Sequence, residues 1–481
     1  MTDTATRQPP TDAASSQQSR LVALVVAVAF FMQFLDGTIV TTSLPQMAQS
    51  FGIQPVAMSI GITIYMLTMA VFIPISGWLG DRYGARNVFF GAIAIFTLAS
   101  LACGLSQTLT QFVAARAIQG VGSAMMLPVG RLIVLKNARK DQLVQAVALI
   151  TWPALFAPVI GPVLGSFITT YASWHWNFLI NIPLGILGMA LVARFVPDQR
   201  EEVVRRLDVP GFVLSSGGLV LLLCGLEGFA DGTVSAMTVV ALLVAGVVVS
   251  ALAVRHLLRA QHPLLDLSTF KVQTFAVSTL TAGTASRLAV NSTPFLLPLF
   301  FQIAYGFSPI KTGTFIFVYF LGNLGMKTLT TPILRWCGFR TVLVINGIVA
   351  AISVAACALL TTDTPEVLIL LLLVIAGLSR SMQFTALNTI GFADITDAQR
   401  SSASTLSSIQ QQVSMLLGVA VAAAALNISQ LARGGSEMAF IDFRVAFGVI
   451  GLIGLASALY FSVLPRDAGA EVSGHKRPEN A

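Results

Sequence analysis

The chain has 481 residues, 55% of them hydrophobic and only 10% charged, with a net charge of +7. Its mean hydropathy is +0.82. Soluble domains carry about 25% charged residues, so this composition excludes the water-soluble enzyme folds and defines a polytopic membrane protein. The positive balance does not point to nucleic acid, because the basic residues sit in short loops between apolar segments, where they act as topology signals.

Residues 1–20 are polar and rich in Thr, Ser, Gln, Ala and Pro, and are expected to form a disordered cytoplasmic tail. Fourteen apolar runs follow, at 21–44, 56–79, 88–106, 111–131, 144–170, 176–196, 210–229, 236–255, 273–300, 313–334, 341–361, 366–392, 404–429 and 443–464. A helix that crosses a bilayer needs roughly 20 apolar residues. The runs do not alternate as barrel strands do. The expected class is therefore an all-α integral membrane protein with 14 transmembrane helices. The first run is longer than a signal-peptide core and lacks a small-residue cleavage site. Residues 466–481 form a second polar tail.

Charge sets the orientation. With the amino terminus inside, 21 loop or tail Lys and Arg residues fall on the cytoplasmic side and 2, Lys311 and Arg433, on the other. Adding or removing one early helix would scramble this split, so both termini are expected in the cytoplasm. Arg116, Arg287, Lys327, Arg380 and Arg444 remain within or at the ends of helices. The four cysteines, Cys103, Cys224, Cys337 and Cys357, have no metal-ligand spacing, and a disulfide framework is not expected.

The chain repeats itself. The stretch Gly77 to Arg86, with Asp81, Arg82 and Gly84, aligns with Ile333 to Arg340 through the Gly84-x-Arg86 and Gly338-x-Arg340 elements. Arg335 stands where Asp81 would fall. Two six-helix bundles are expected, at 21–196 and 261–465, with two inserted helices in a linker at 197–260. Transporters commonly place their site between such halves.

Several motifs resemble one family. Leu35-Asp36 through Leu44-Pro45 resembles the first-helix signature of the fourteen-helix drug:proton antiporters (EmrB/QacA type) of the major facilitator superfamily. Gly77 to Arg86 resembles the superfamily's loop motif, and Arg116 to Gly122 its fourth-helix basic motif. Pro158, Gly161, Pro162 and Gly165 resemble the fifth-helix antiporter motif, and Trp174 to Pro183 the approach to the sixth helix. Met125 to Leu132 is similar to the MdtD-type efflux subgroup. The chain departs from the pattern at Ser166, where a second glycine is common, and at Arg335, where the second loop motif lacks its acid. The resemblance implies a solute:proton exporter working by alternating access in the cell inner membrane. It also implies that Gly77, Asp81, Arg82, Gly84 and Arg86 latch the two halves.

Asp36 is the main mechanistic candidate. It lies about 21–24 Å along the first helix at 1.5 Å per residue. Intramembrane ionisable residues are expensive and by default functional. The expected role is proton carrier; the structural alternative is an acid held in a permanent ion pair. Arg116 is expected at a similar depth, as its coupling partner or as a packing clamp with Gln119. Arg287 and Arg380, on helices that line the cavity in the superfamily fold, and Lys327 would give that cavity excess positive charge, unless they snorkel or pair with helix ends. Gln33, Asn291 and Asn388 are candidate substrate contacts or interhelical hydrogen bonds. Two substrate classes compete: a broad range of lipophilic drugs, which the family resemblance implies, and, because the cavity is basic, a specific anion such as an organic acid or a metal–citrate complex. A facilitator or channel is the less favoured class.

No phosphate-binding loop motif is present, so ATP drive within this chain is not expected. No enzyme constellation, metal site or cofactor is expected; the proton gradient supplies the energy. Expected partners are membrane lipids, protons and a small-molecule substrate, with no nucleic acid and a monomer as working unit. Some relatives use a periplasmic adaptor, but these tails carry no heptads to dock one.

Overall fold

The computed structural model describes residues 12–137, 143–198, 207–231, 235–261, 263–396, 399–435 and 437–473. The described chain is helical, without strands. α1 (Asp12–Ile39) leads through a tight turn into α2 (Leu44–Phe51), followed by α3 (Ser59–Tyr83), α4 (Ala85–Gly104) and α5 (Leu109–Asn137). α6 (Leu143–Tyr171), α7 (Trp176–Leu179) and α8 (Asn181–Phe195) come next. Then come α9 (Val209–Asp231), α10 (Ala236–Leu257), α11 (Gln273–Thr279), α12 (Ala282–Leu299), α13 (Pro309–Cys337) and α14 (Phe339–Ala356). α15 (Glu366–Ile390), α16 (Arg400–Arg433), α17 (Phe440–Tyr460) and α18 (Ala470–Ser473) complete the order. Lipid offers no partner for a backbone N–H or C=O, and helices satisfy both internally.

Eleven described helices are long and apolar enough to cross a membrane. Three of the expected runs fall outside that group. The apolar described part of α6 is Phe156–Tyr171, which is shorter. α12 carries Arg287, Pro294 and Pro298, and α13 carries Lys327 and Arg335, which lower their apolarity.

Two expectations are corrected. The run 273–300 is not one helix: it breaks between α11 and α12, where Thr281 has φ −93° and ψ −100°, and it ends in a π-type turn at Phe300–Ala304. Proline lacks the N–H that an α-helical ladder requires, and Pro294 and Pro298 lie just before the π turn. The second correction concerns the amino-terminal stretch 1–20, expected to be disordered. Helix α1 begins within it at Asp12, and the Ser19 hydroxyl donates to the Asn137 carbonyl at 2.7 Å, tying this turn to α5. Residues 1–11 and 474–481 lie outside the described set, and part of the second polar tail, Ala470–Ser473, is helical.

α1 packs against α5, α6 and α8, while α5 also packs on α3 and α4. α12 packs against α16 and α17, α13 against α15, and α14 against α15 and α17. α6 meets α13, and α3 meets α16, joining the two groups. α9 lies along α10 and touches α3 and α16. The aligned glycines of the repeat do the same work in both groups. Gly84 (φ 86°) and Gly338 (φ 74°) turn one long helix straight into the next with a backbone that other residues rarely adopt.

The apolar core is not symmetric along the helices. One large cluster crosses between the groups at the end bearing α2, including Met47, Val56, Phe300, Phe301, Phe315 and Leu426. At the opposite, Gly84 end the second group has separate clusters of its own, around Leu343 and Phe461 and around Phe275 and Leu406. Gln302 fastens the α2 end: its Nε2 donates to the Thr42 carbonyl at 2.8 Å, and its Oε1 accepts from Gln46 Nε2 at 2.9 Å. Lys311 pairs with Glu366, and Arg433 with Asp442, also at this end.

Asp208 anchors the inserted pair α9–α10. It accepts from the Gly211 N–H at 2.9 Å and the Leu264 N–H at 3.1 Å, and lies 2.8 Å from His256 Nε2. Burial pushes its carboxyl pKa up, but these hydrogen bonds and the imidazole outweigh that and hold it below the ordinary value. A carboxylate with a depressed folded pKa stabilises the fold above its unfolded pKa and loses that contribution as pH falls. Thermal unfolding in detergent, followed from pH 7 downward, is expected to show a steeper acid decline in the wild type than in Asp208→Asn. Equal slopes would remove Asp208 from this role.

Candidate functional site

Asp36 sits three residues before the end of α1 and is fully buried, as is Arg116 on α5. Arg116 Nη1 donates to Asp36 Oδ2 at 2.7 Å. Asp36 Oδ1 accepts from Gln119 Nε2 and from Asn181 Nδ2, each at 2.9 Å. The carboxylate thus draws donors from two other helices, α5 and α8. The guanidinium is held on its remaining sides. Its Nε donates to the Gly61 carbonyl at 3.0 Å, Nη1 donates to Gln119 Oε1 at 2.6 Å, and its carbon lies 4.2 Å from the centre of the Tyr65 ring. Tyr65 in turn hydrogen-bonds Ser123. Ser100 accepts from both Gln119 and Asn181. A buried ion pair is tolerable when further hydrogen bonds support it, and Gln119, Asn181 and the Gly61 carbonyl supply them.

Gly161 and Gly165 bring α6 close to the end of α1. A Cβ at Gly161 would lie 2.2 Å from Thr38 Oγ1, and one at Gly165 would lie 2.4 Å from the Ile39 carbonyl oxygen. α1 therefore presses on α6 within three residues of Asp36. Pro162 continues the seam to α13, where a Cβ at Gly313 would lie 2.8 Å from its carbonyl oxygen. Pro158 lies one turn earlier on α6. Overpacking of this kind costs about 1–3 kcal/mol. Gly165→Ala is expected to cut transport strongly by displacing the end of α1, whereas Gly91→Ala, with no atom within 4 Å of its Cβ, should leave it unchanged. Equal transport rates in the two variants would remove the seam from the mechanism.

The second group carries a different arrangement. Arg287 is 3% exposed; it donates through Nη1 to the Ser278 carbonyl at 2.6 Å and through Nη2 to Asn388 Oδ1 at 2.7 Å. The first contact takes up a carbonyl beside the helix break. Its buried Nε has no hydrogen-bond partner among the described residues. Arg380 lies within 3.2 Å of the Tyr319 hydroxyl, 3.3 Å of the Val290 carbonyl and 3.4 Å of Asn291 Oδ1. Lys327 donates to Thr385 Oγ1 at 2.9 Å. No ion pair involves these three cations among the described residues. Gln33 is buried on α1, and its Oε1 has no hydrogen-bond partner among the described residues.

The structure thus joins Asp36 to Arg116, Arg287 to Asn388 and Arg380 to Asn291, and places Lys327 apart on Thr385. In the loop motif, Arg86 donates to the Ala193 carbonyl of α8, and Arg82 lies over Trp78 and Tyr83. These contacts stay within the first group. Sequence reasoning gave no role to Asn181, Ser100 or Tyr65. The available signal was a polar side chain in an apolar helix, which Asn181 shares with many others. No His, Cys, Asp and Glu group that could hold a metal ion occurs among the described residues.

A helical membrane protein with a fully buried ion pair between two of its helices and two groups of helices sharing a core at one end has the build of a transporter. The family model of the Major Facilitator Superfamily matches residues 26–419, and the chain belongs to that superfamily. It is 38% identical over 461 residues to the "Putative multidrug resistance protein MdtD" of Escherichia coli (strain K12), covering 95% of this chain and 97% of the relative. The protein of the same name from Pectobacterium carotovorum subsp. carotovorum (strain PC1) is 38% identical over 446 residues, covering 92% and 95%. Among solved structures, a D-xylose-proton symporter superposes with a TM-score of 0.68 at 14% identity, covering 93% of this chain and 98% of its own. The nucleoside transporter NupG gives 0.61 at 16% identity, covering 92% and 98%. These structures share the fold. The chain is a multi-pass membrane transporter, not an enzyme.

Proposed function

We propose that this protein is a proton-coupled exporter of the drug-efflux type, exchanging inward protons for an outgoing solute by alternating access. The observation that carries the proposal is Asp36, fully buried and held by Arg116, Gln119 and Asn181 deep in the first group. The names of the MdtD relatives favour multidrug efflux as the substrate class. In this reading fourteen helices cross the inner membrane, with α6, α12 and α13 joining the eleven apolar spans and both termini in the cytoplasm. Residues 21–196 and 261–465 move as two bundles, with 197–260 inserted between them. The protein acts as a monomer, with the proton gradient rather than a cofactor as its energy source.

A proton arriving on Asp36 removes the charge that holds Arg116, and α1 is then free to shift against α5 and α8. Loss of the proton re-forms the pair. The shared core at the α2 end corresponds, in this orientation, to a closed outer side.

A second reading, export of a specific anion, is favoured by Arg287, Arg380 and Lys327, which have no carboxylate partner among the described residues. Arg287 Nε has no hydrogen-bond partner among the described residues. Gln33, Asn291 and Asn388 would complete that cavity. Proteoliposomes with an internal pH dye test both readings, using lipophilic cations, organic acids and metal–citrate complexes. Proton movement driven by cations supports the first reading, and movement driven by anions alone supports the second. Saturable solute flux without proton movement would sink the antiport proposal and leave a facilitator.

A further inference from the structure

The second loop motif, in which Arg335 replaces the acid of the first, borders a cavity of about 560 Å³. It lies between the end of α13, the first turns of α14 and the chain after α17. Its walls include Arg340, Thr341, Ser462, Arg466, Asp467 and, on the apolar side, Val344 and Ile345. No ion pair or side-chain hydrogen bond of Arg340 or Arg466 occurs among the described residues. Two guanidinium groups and one carboxylate leave the cavity one positive charge.

The apolar wall continues along the molecule. Ile345, Val349 and Ile352 follow one another at helical spacing on α14 and are exposed, as are Leu459, Tyr460 and Val463 beside them. In a membrane-spanning helix that stripe is covered by lipid. Trp336, 83% exposed and next in sequence to the cavity-lining Cys337, is the residue type enriched where a membrane meets water.

We infer that this cavity is a binding site for an anionic phospholipid with a hydroxylated headgroup, such as phosphatidylglycerol. Its phosphate sits on Arg340 and Arg466, a headgroup hydroxyl donates to Asp467, and an acyl chain follows Ile345, Val349 and Ile352. Guanidinium groups grip phosphate oxygens with charge-assisted hydrogen bonds. The single excess positive charge matches one phosphodiester. In the orientation proposed above the site faces the cytoplasmic leaflet. The binding itself does not depend on the transport mechanism.

The test is native mass spectrometry of the full chain after exchange into mixed micelles with phosphatidylglycerol, phosphatidylethanolamine or phosphatidylcholine. Phosphatidylglycerol should be retained preferentially. Arg340→Gln/Arg466→Gln should reduce its retention by about tenfold or more, in line with the loss of two basic groups near a lipid phosphate. The pair Arg255→Gln/Arg259→Gln removes the same charge elsewhere and should change little. Arg340→Lys/Arg466→Lys, which keeps the charge, should retain most of the binding and guards against misfolding of the Gln pair. Equal retention of the three lipids, or equal loss in both Gln pairs, would overturn the proposal. Inorganic phosphate that displaces the lipid at millimolar concentration would assign the site to a soluble anion instead.

Discussion

Asp36→Asn is expected to reduce substrate-driven proton movement in proteoliposomes to the level of empty vesicles. An amide cannot load and release a proton, so no coupling survives at that position. The geometry adds a second effect. Asp36 accepts at both oxygens, Oδ2 from Arg116 and Oδ1 from Gln119 and Asn181. Asparagine offers one oxygen and one NH₂, so one side of the site must set donor against donor. It also leaves the buried Arg116 without its counter-charge. Removing one partner of a buried pair costs roughly 3–5 kcal/mol. A structural ion pair would show that loss of stability too, so stability alone does not distinguish the roles. Flux does. If Asp36 only braces the fold, Asp36→Asn/Arg116→Gln, which removes both charges, should restore stability and proton-coupled transport together. If Asp36 carries the proton, the double variant regains stability and stays uncoupled. Proton movement at the wild-type rate in folded Asp36→Asn would end the proposal.

The Asp36–Arg116 pair was legible in the sequence because both residues are rare in apolar helices and because helix depth follows from residue count. The depth estimate placed them at one level, and the side chains meet at 2.7 Å. Asn181 was not legible as a ligand of Asp36, since an amide in a membrane helix is common and only packing of α8 on α1 and α4 brings it in. The break at Leu280–Thr281 was also hidden. Residues 273–300 read as one apolar run, and the interruption depends on a buried contact from Arg287 to the Ser278 carbonyl. The expected topology rests on a different signal, the charge bias written in the loops. Even the two exceptions, Lys311 and Arg433, have a physical account: each is paired with an acid at the α2 end.

The last expectation concerns Gln302. Chemical cross-linking of Gln46→Cys to Gln302→Cys, in a background where Cys224 and Cys337 are replaced by Ser, should stop transport. Reductant should restore it. The two side chains touch at 2.9 Å and are half-buried, within reach of a short thiol-specific cross-linker. The remaining cysteines, Cys103 and Cys357, are buried and should not react. The magnitudes explain why a covalent link is needed. Hydrogen bonds contribute about 0.5–1.5 kcal/mol each, so the contacts of Gln302 with Gln46 and Thr42 bias the closed end without locking it. Gln302→Ala should therefore shift the balance of states by only about tenfold and change rate rather than abolish flux. The cross-link removes the open-outside state altogether. Full transport in completely cross-linked protein would mean that solute leaves without the α2 end opening, and alternating access at this seam would have to be abandoned. Single-cysteine variants treated with the same reagent should transport normally. That outcome separates blocked motion from simple modification of the outer mouth.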